Sequence, residues 1–318
     1  MLIYLLLIIG FILLVKGADF LVEGASSIAR KVKVSDLVIG LTIVAFGTSA
    51  PELFVNIVSS VKGNAGIAVG NILGSNIANI LLVLGLCAII APLKVGKGTV
   101  WKEIPFCLLA ALLLGVLAND YLIDKKTFSE LSKSDGLTFL AFFIIFMSYS
   151  FSIAKQTGIA GELPEKQFNI RKAIFLVIVG LIGLSFGGKL IVDNAVKIAL
   201  KFGMSETLIG LTIVAIGTTL PEVATSVVAV YKGKVELAVG NIVGSNIFNI
   251  FLVLGVSAVI KPLPFNVTEN FSVVLMILAS FFLFLAMFVG RKRVLDRWVG
   301  VIFVILYLGY ISFLIVTR

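Results

Sequence analysis

Two stretches of this chain repeat each other at a spacing of 170 residues, and both copies lie inside apolar segments. Ile39–Glu52 (IGLTIVAFGTSAPE) returns as Ile209–Glu222 (IGLTIVAIGTTLPE), and Ala68–Asn79 (AVGNILGSNIAN) returns as Ala238–Asn249 (AVGNIVGSNIFN). The same offset matches Gly10 with Gly180, Gly17 with Gly187 and Glu23 with Asp193, so the repeat covers most of each half. Chance likeness between apolar segments scatters Leu and Ile matches; it does not keep Gly, Thr, Pro, Glu, Ser and Asn in order.

Each copy is embedded in segments long enough to cross a bilayer, whose core of roughly 30 Å takes about 20 apolar residues. Ten such segments run approximately over 2–29, 37–60, 65–90, 100–118, 136–154, 171–200, 207–230, 236–260, 270–290 and 298–316. Only 14% of residues are charged, against roughly a quarter in soluble domains. The fold class read from this is an all-α polytopic membrane protein. It has ten transmembrane helices arranged as two inverted five-helix repeats, 1–155 and 171–318. A linker over 156–170, with Gly158, Gly161 and Pro164, joins them. Five is odd, so the second repeat enters the membrane with opposite orientation, and such repeats meet around a site near the midplane.

Lys and Arg are biased to one side. Loops after the odd-numbered segments (Arg30–Lys33, Lys94–Lys102, Lys155–Lys172, Lys232–Lys234, Arg291–Arg297) hold 16 of them against 8 on the other side. The positive-inside rule then puts both termini outside the cytoplasm, in a multi-pass cell-membrane protein. The segment starting at Met1 has no basic leader or small-residue cleavage site and reads as a retained helix.

Several function classes fall away. The net charge of +9 sits in short loops beside apolar segments, which marks topology and not a nucleic-acid partner. The chain has no His, and Cys87 and Cys107 lack metal-ligand spacing, so neither zinc, nor a disulfide, nor a His-based catalytic set is expected. No nucleophile–base pair is evident, so the chain reads as a non-enzyme with no cofactor and no obligate protein partner beyond the lipid bilayer.

What remains is a set of oxygens. Gly47-Thr48-Ser49-Ala50-Pro51-Glu52 interrupts the second segment, and Gly217-Thr218-Thr219-Leu220-Pro221-Glu222 interrupts the seventh. Proline has no N–H and crowds the carbonyl four residues back; freed backbone groups at that depth need a polar cavity. Thr48 and Ser49 share a helical face with Glu52, as Thr218 and Thr219 do with Glu222. Ser75 with Asn79, and Ser245 with Asn249, are i, i+4 pairs in the next segments. A lone Ser, Thr or Pro in such a helix ordinarily bonds its own backbone or makes a kink. A central carboxylate costs about 2.5–3.5 kcal/mol in lipid, so two at equivalent positions point to function. Carboxylates, hydroxyls, amides and carbonyls suit Na⁺ or Ca²⁺, and two carboxylates match the charge of one Ca²⁺. Asp19, Glu23 and Asp193 lie towards helix ends, and Lys16–Asp19 and Lys189–Asp193 have ion-pair spacing, so interfacial pairing is expected there. Arg291–Arg293 reads as a positive-inside anchor.

These paired motifs resemble the two alpha-repeats of the sodium/calcium exchanger family, within the calcium/cation antiporters, along nearly the whole chain. The resemblance implies a five-plus-five inverted fold with the long first and sixth helices sliding as a gate. It implies that Glu52 and Glu222 contact both Ca²⁺ and Na⁺, with Thr48, Ser49, Ser75, Thr218, Thr219 and Ser245 completing the Na⁺ sites. Asn79 and Asn249 belong to the same ligand set, and the carbonyls of Ala45, Thr48, Ala215 and Thr218 are further candidates. It suggests three Na⁺ per Ca²⁺. Some members, including the potassium-dependent branch, carry Asp where this chain has Asn249, so potassium independence is expected here. The linker is also too short for a regulatory domain. A proton-coupled antiporter remains the nearest alternative, since carboxylates carry protons. A channel, which would need a continuous pore, and an intramembrane enzyme stand further off.

Overall fold

The computed structural model describes residues 2–156, 168–202 and 215–317. Its helices follow the apolar segments: α1 (Leu2–Val32), α2 (Asp36–Thr48), α3 (Ala50–Lys62), α4 (Ala65–Ile90), α5 (Thr99–Leu117) and α6 (Lys133–Gln156) in the first half. In the second half come α7 (Ile170–Lys201), α8 (Leu220–Tyr231), α9 (Val235–Ile260), α10 (Asn270–Ala286) and α11 (Arg297–Thr317). Among the described residues, 8 helices are long and apolar enough to cross a membrane, and the α2–α3 pair, bent by 44°, makes up to 9. The protein is therefore multi-pass. Residues 157–167 of the expected 156–170 linker and the Ile209–Val214 part of the repeated motif lie outside the described residues.

Two helices form the centre. In α4 and α9, 78% and 83% of the most apolar window is buried, against 17–39% for the other long spans. Both are the helices that carry the GN…GSN…N motif. The remaining spans turn Leu, Ile and Phe outwards, as a lipid solvent requires. Trp101 and Trp298, both about half exposed, stand at the starts of α5 and α11 beside the basic loops, the usual place for aromatics at a membrane–water boundary.

The long helices α1 and α7 pack antiparallel along a seam of small residues. Gly10 meets Gly187, Gly17 meets Gly180 and Gly24 meets Ala173, so the register runs backwards along the partner. A Cβ on Gly17 would stand 2.8 Å from the Gly180 carbonyl oxygen, and one on Gly180 would stand 2.8 Å from the carbonyl of Gly17. Only backbone fits there, and the seam presents few side-chain knobs to resist sliding. A second glycine contact joins the repeats at Gly40 and Gly240, drawing α2 against α9.

The fold is mostly helical, with two details that residue order did not anticipate. β1 (Leu93–Lys94) pairs with β4 (Val294–Leu295), and β2 (Ser129–Leu131) pairs with β3 (Leu263–Phe265). These antiparallel ribbons clip a loop of one half to a loop of the other, giving loop N–H and C=O groups partners outside the helices. Asp19 also does not rely on Lys16, three residues away on its own helix turn. It pairs with Lys232 of the α8–α9 loop, which also binds Glu23 at 2.8 Å.

Candidate cation site

The break between α2 and α3 follows from Pro51, which leaves the Gly47 carbonyl without its helical donor. Ser49 occupies the break at φ −80°, ψ 0°, and its hydroxyl makes no capping bond. Thr219 does the same before α8, at φ −87°, ψ −4°, ahead of Pro221. Glu52 and Glu222 therefore sit in the first turns of α3 and α8. There the positive ends of the helix dipoles favour negative charge. Asn79 and Asn249 each begin a widened, π-type turn within α4 and α9, a distortion that recurs at functional sites.

These elements bring the predicted residues together. Glu52 is 0% and Glu222 1% exposed, and the two are close enough for Glu52's charge to act on Glu222. Ser75 lies beside Glu52 and Thr48 beside Glu222, so each carboxylate is flanked by a hydroxyl. None of the four carboxylate oxygens has a hydrogen-bond partner, nor do the hydroxyls of Ser49, Ser75 and Thr219 or the Oδ1 atoms of Asn79 and Asn249. These nine are more than half of the 17 unpartnered buried side-chain N and O atoms among the described residues. Buried polar atoms are ordinarily satisfied. Two partnerless carboxylates at the membrane's depth must be neutralised by cations or protons.

The other predicted residues are present but engaged. Thr48 Oγ1 lies 3.0 Å from Asn241 Oδ1 and 3.2 Å from Ser245 Oγ, while Thr218 Oγ1 donates to Asn71 Oδ1 at 3.4 Å. The Ala45 carbonyl accepts the Ser49 N–H at 3.0 Å and the Thr48 hydroxyl at 3.4 Å, so it is already engaged as an acceptor. Ala215 is the first described residue of its arm. Among the described residues no group of three or more His, Cys, Asp or Glu could hold a metal ion; the site is one of two carboxylates and neutral oxygens.

Four asparagines inside the repeated motif had no assigned role, and they organise the site. Asn246 Nδ2 donates to the Asn76 carbonyl at 3.3 Å, and Asn76 Nδ2 donates to the Asn246 carbonyl at 3.2 Å. A carbonyl only accepts, so both amides are fixed in orientation. Their Oδ1 atoms then accept from Asn79 Nδ2 at 2.9 Å and Asn249 Nδ2 at 3.0 Å. Asn79 and Asn249 are left presenting oxygen, not NH₂, as free acceptors. Asn71 and Asn241 hold Thr218 and Thr48 in turn, and are themselves tied to Asn56 and Ser226. The available signal was the retention of all four asparagines at the 170-residue offset.

The two halves of the site differ in access. Gly240, Asn241 and Gly244 are buried under Leu37, Leu41 and Ala45, whereas Gly70, Asn71 and Gly74 are partly exposed. Thr48 is buried and Thr218 partly exposed. The partly exposed positions Gly70, Asn71 and Gly74 lie in the first turns of α4, next to Lys62–Ala65.

The model of the family described as sodium/calcium exchanger protein matches residues 2–152 and 172–316. The putative antiporter CaxA of Alkalimonas amylolytica is 41% identical over 313 residues, covering 95% of each chain. The sodium/calcium exchanger MaX1 of Methanosarcina acetivorans is 33% identical over 346 residues, covering 98% of this chain and 97% of that one. Among solved structures, the sodium-calcium exchanger NCX_Mj soaked with 2.5 mM Na⁺ and 0.1 mM Ca²⁺ superposes with a TM-score of 0.83. It is 36% identical, with 98% of each chain covered.

Proposed function

The chain belongs to the sodium/calcium exchanger family, and from that premise we propose that it exchanges Na⁺ for Ca²⁺ across the cell membrane by alternating access. The full architecture in this reading is ten helices in two inverted repeats, with both termini outside the cytoplasm. The observation that carries the reading is the cluster of nine unpartnered oxygens around Glu52 and Glu222. Their donor chemistry suits hard cations, and Ca²⁺ takes 6–8 oxygens of this kind.

Both ion loads draw on one set of ligands. Ca²⁺ bridges the two carboxylates, supported by the Asn79 and Asn249 oxygens. Na⁺ ions spread over the same carboxylates, the hydroxyls of Ser49, Ser75, Thr219, Thr48, Thr218 and Ser245, and the carbonyls near the two breaks, Ala45 and Ala215 included. Because the ligands are shared, occupancy is mutually exclusive and the two gradients are coupled. An empty site leaves two buried charges uncompensated, which opposes movement of the unloaded carrier. Three Na⁺ per Ca²⁺ moves one net charge per cycle. Asn249 is neutral and leaves no third carboxylate for K⁺.

Ca²⁺ uptake into vesicles containing the purified protein tests this. An outward Na⁺ gradient should drive uptake, an imposed membrane potential should change its rate, and K⁺ should have no effect. Uptake driven by a proton gradient and indifferent to Na⁺ would overturn the sodium assignment.

A further inference from the structure

We propose that Lys232 with Asp19 and Glu23 forms a latch holding one end of the carrier closed, and that Lys62 with Asp193 is its weaker counterpart at the other end. The inference rests on the alternating-access reading above and adds the residues that set its balance.

The latch is seen at the end where the site is sealed. Lys232 lies in the loop between α8 and α9 and reaches across to two carboxylates one helical turn apart on α1, Asp19 and Glu23. Burial disfavours the Lys232 charge, and the two carboxylates more than offset this, holding its ammonium above the ordinary lysine range. The same end is closed by packing: α1 lies along α8.

Subtracting the repeat offset of 170 gives the partners at the opposite end: Lys232 corresponds to Lys62, and Glu23 to Asp193. There the state is reversed. Lys62 and Asp193 are both exposed, and no ion pair joins them among the described residues. The equivalent packing, α7 along α3, is absent from the packed helix pairs among the described residues. The partly exposed Asn71 and Gly74, in the first turns of α4, lie at this same end. A repeat that is symmetric in sequence but asymmetric in pairing is what a two-position switch requires. The glycine seam of α1 and α7 lets the two acid-bearing helices shift together, so closing one end parts the other.

The two latches are unequal. The counterpart of Asp19 is Lys189, so Lys62 would meet one carboxylate and one ammonium where Lys232 meets two carboxylates. The charges therefore bias the empty carrier towards the arrangement seen here, by about 3- to 5-fold for exposed pairs of this kind.

Spin labels read both ends in the purified full-length protein, with Cys87 and Cys107 replaced by Ala. Lys31→Cys with Tyr231→Cys reports the latched end, and the repeat-equivalent Val61→Cys with Lys201→Cys reports the other; all four positions are exposed. In cation-free buffer the first pair should be short and the second long. Lys232→Ala should lengthen the first and shorten the second in a larger share of molecules, and Lys232→Arg should retain the original distances. Lys189→Asp, which leaves the native latch untouched, should shift the balance in the same direction as Lys232→Ala. Distances unchanged in both Lys232→Ala and Lys189→Asp, in a protein whose wild type redistributes on adding Na⁺ or Ca²⁺, would overturn the latch. A wild type with a single distance at each end under every ion condition would overturn the alternating-access reading itself.

Discussion

Glu52→Gln and Glu222→Gln should each abolish Ca²⁺ transport, lowering Ca²⁺ affinity by at least about 30-fold, since removing one member of a buried charged constellation costs roughly 2–5 kcal/mol. Gln keeps the shape of Glu but halves the site's formal charge and turns one acceptor into a donor that repels a cation. The two substitutions should be equivalent, because the carboxylates are equally buried and equally partnerless. The variants should remain folded, and in cation-free buffer should unfold at the same or a higher temperature, because an unpartnered buried carboxylate has been removed. Adding Ca²⁺ should then no longer raise the unfolding temperature, as it does for a protein whose native state alone binds the ion. Radioactive Ca²⁺ uptake together with thermal unfolding checks both halves. Near-normal uptake in either variant would remove that carboxylate from the site.

The next largest effect is expected at residues that carry no charge and need touch no ion. Asn76→Ala and Asn246→Ala each remove an amide that fixes the orientation of Asn249 or Asn79. Freed of that partner, the ligand amide can turn its NH₂ towards the cation. Loss of such an orienting group behind a ligand ordinarily costs 10- to 100-fold in metal affinity, and about that loss is expected here for Ca²⁺. Asn76→Ala and Asn246→Ala should act alike, since their hydrogen bonds are the same at the repeat offset. Calorimetric titration of Ca²⁺ separates this from misfolding: binding weakens while its stoichiometry is kept. An unchanged affinity in both variants would show that the amide bracket is only packing.

Much of this was readable from residue order. The apolar runs gave helix positions to within a few residues, because a membrane span must be both apolar and long. The carboxylates declared themselves by cost, and the offset of 170 tied each to its hydroxyls. The rest depended on distances that residue order does not carry. Lys16 stands three residues from Asp19, so it looked like the partner; the actual partner, Lys232, is brought there by the fold. The β-ribbons are two or three residues long, too short to show alternation. Asn76 and Asn246 were visible as residues, but the direction of an amide is decided by its neighbours, here a backbone carbonyl from the other repeat. Access was illegible for a deeper reason. Two copies of one motif predict two equal half-sites, and only the packed structure shows Thr48 buried where Thr218 is partly exposed.

That inequality gives the transport proposal its physical content. A site whose ligands are symmetric, reached from one end at a time, can release its load on either side without being rebuilt. The central requirement is that Ca²⁺ and Na⁺ compete for the same oxygens around Glu52 and Glu222. Equilibrium Ca²⁺ binding to the purified protein, measured across a series of Na⁺ concentrations at constant ionic strength, tests it most directly. Apparent Ca²⁺ affinity should fall steeply as Na⁺ rises, more than in proportion because several Na⁺ displace one Ca²⁺, with the number of Ca²⁺ sites unchanged. A Ca²⁺ affinity indifferent to Na⁺ would place the two ions on separate ligands and contradict the shared site.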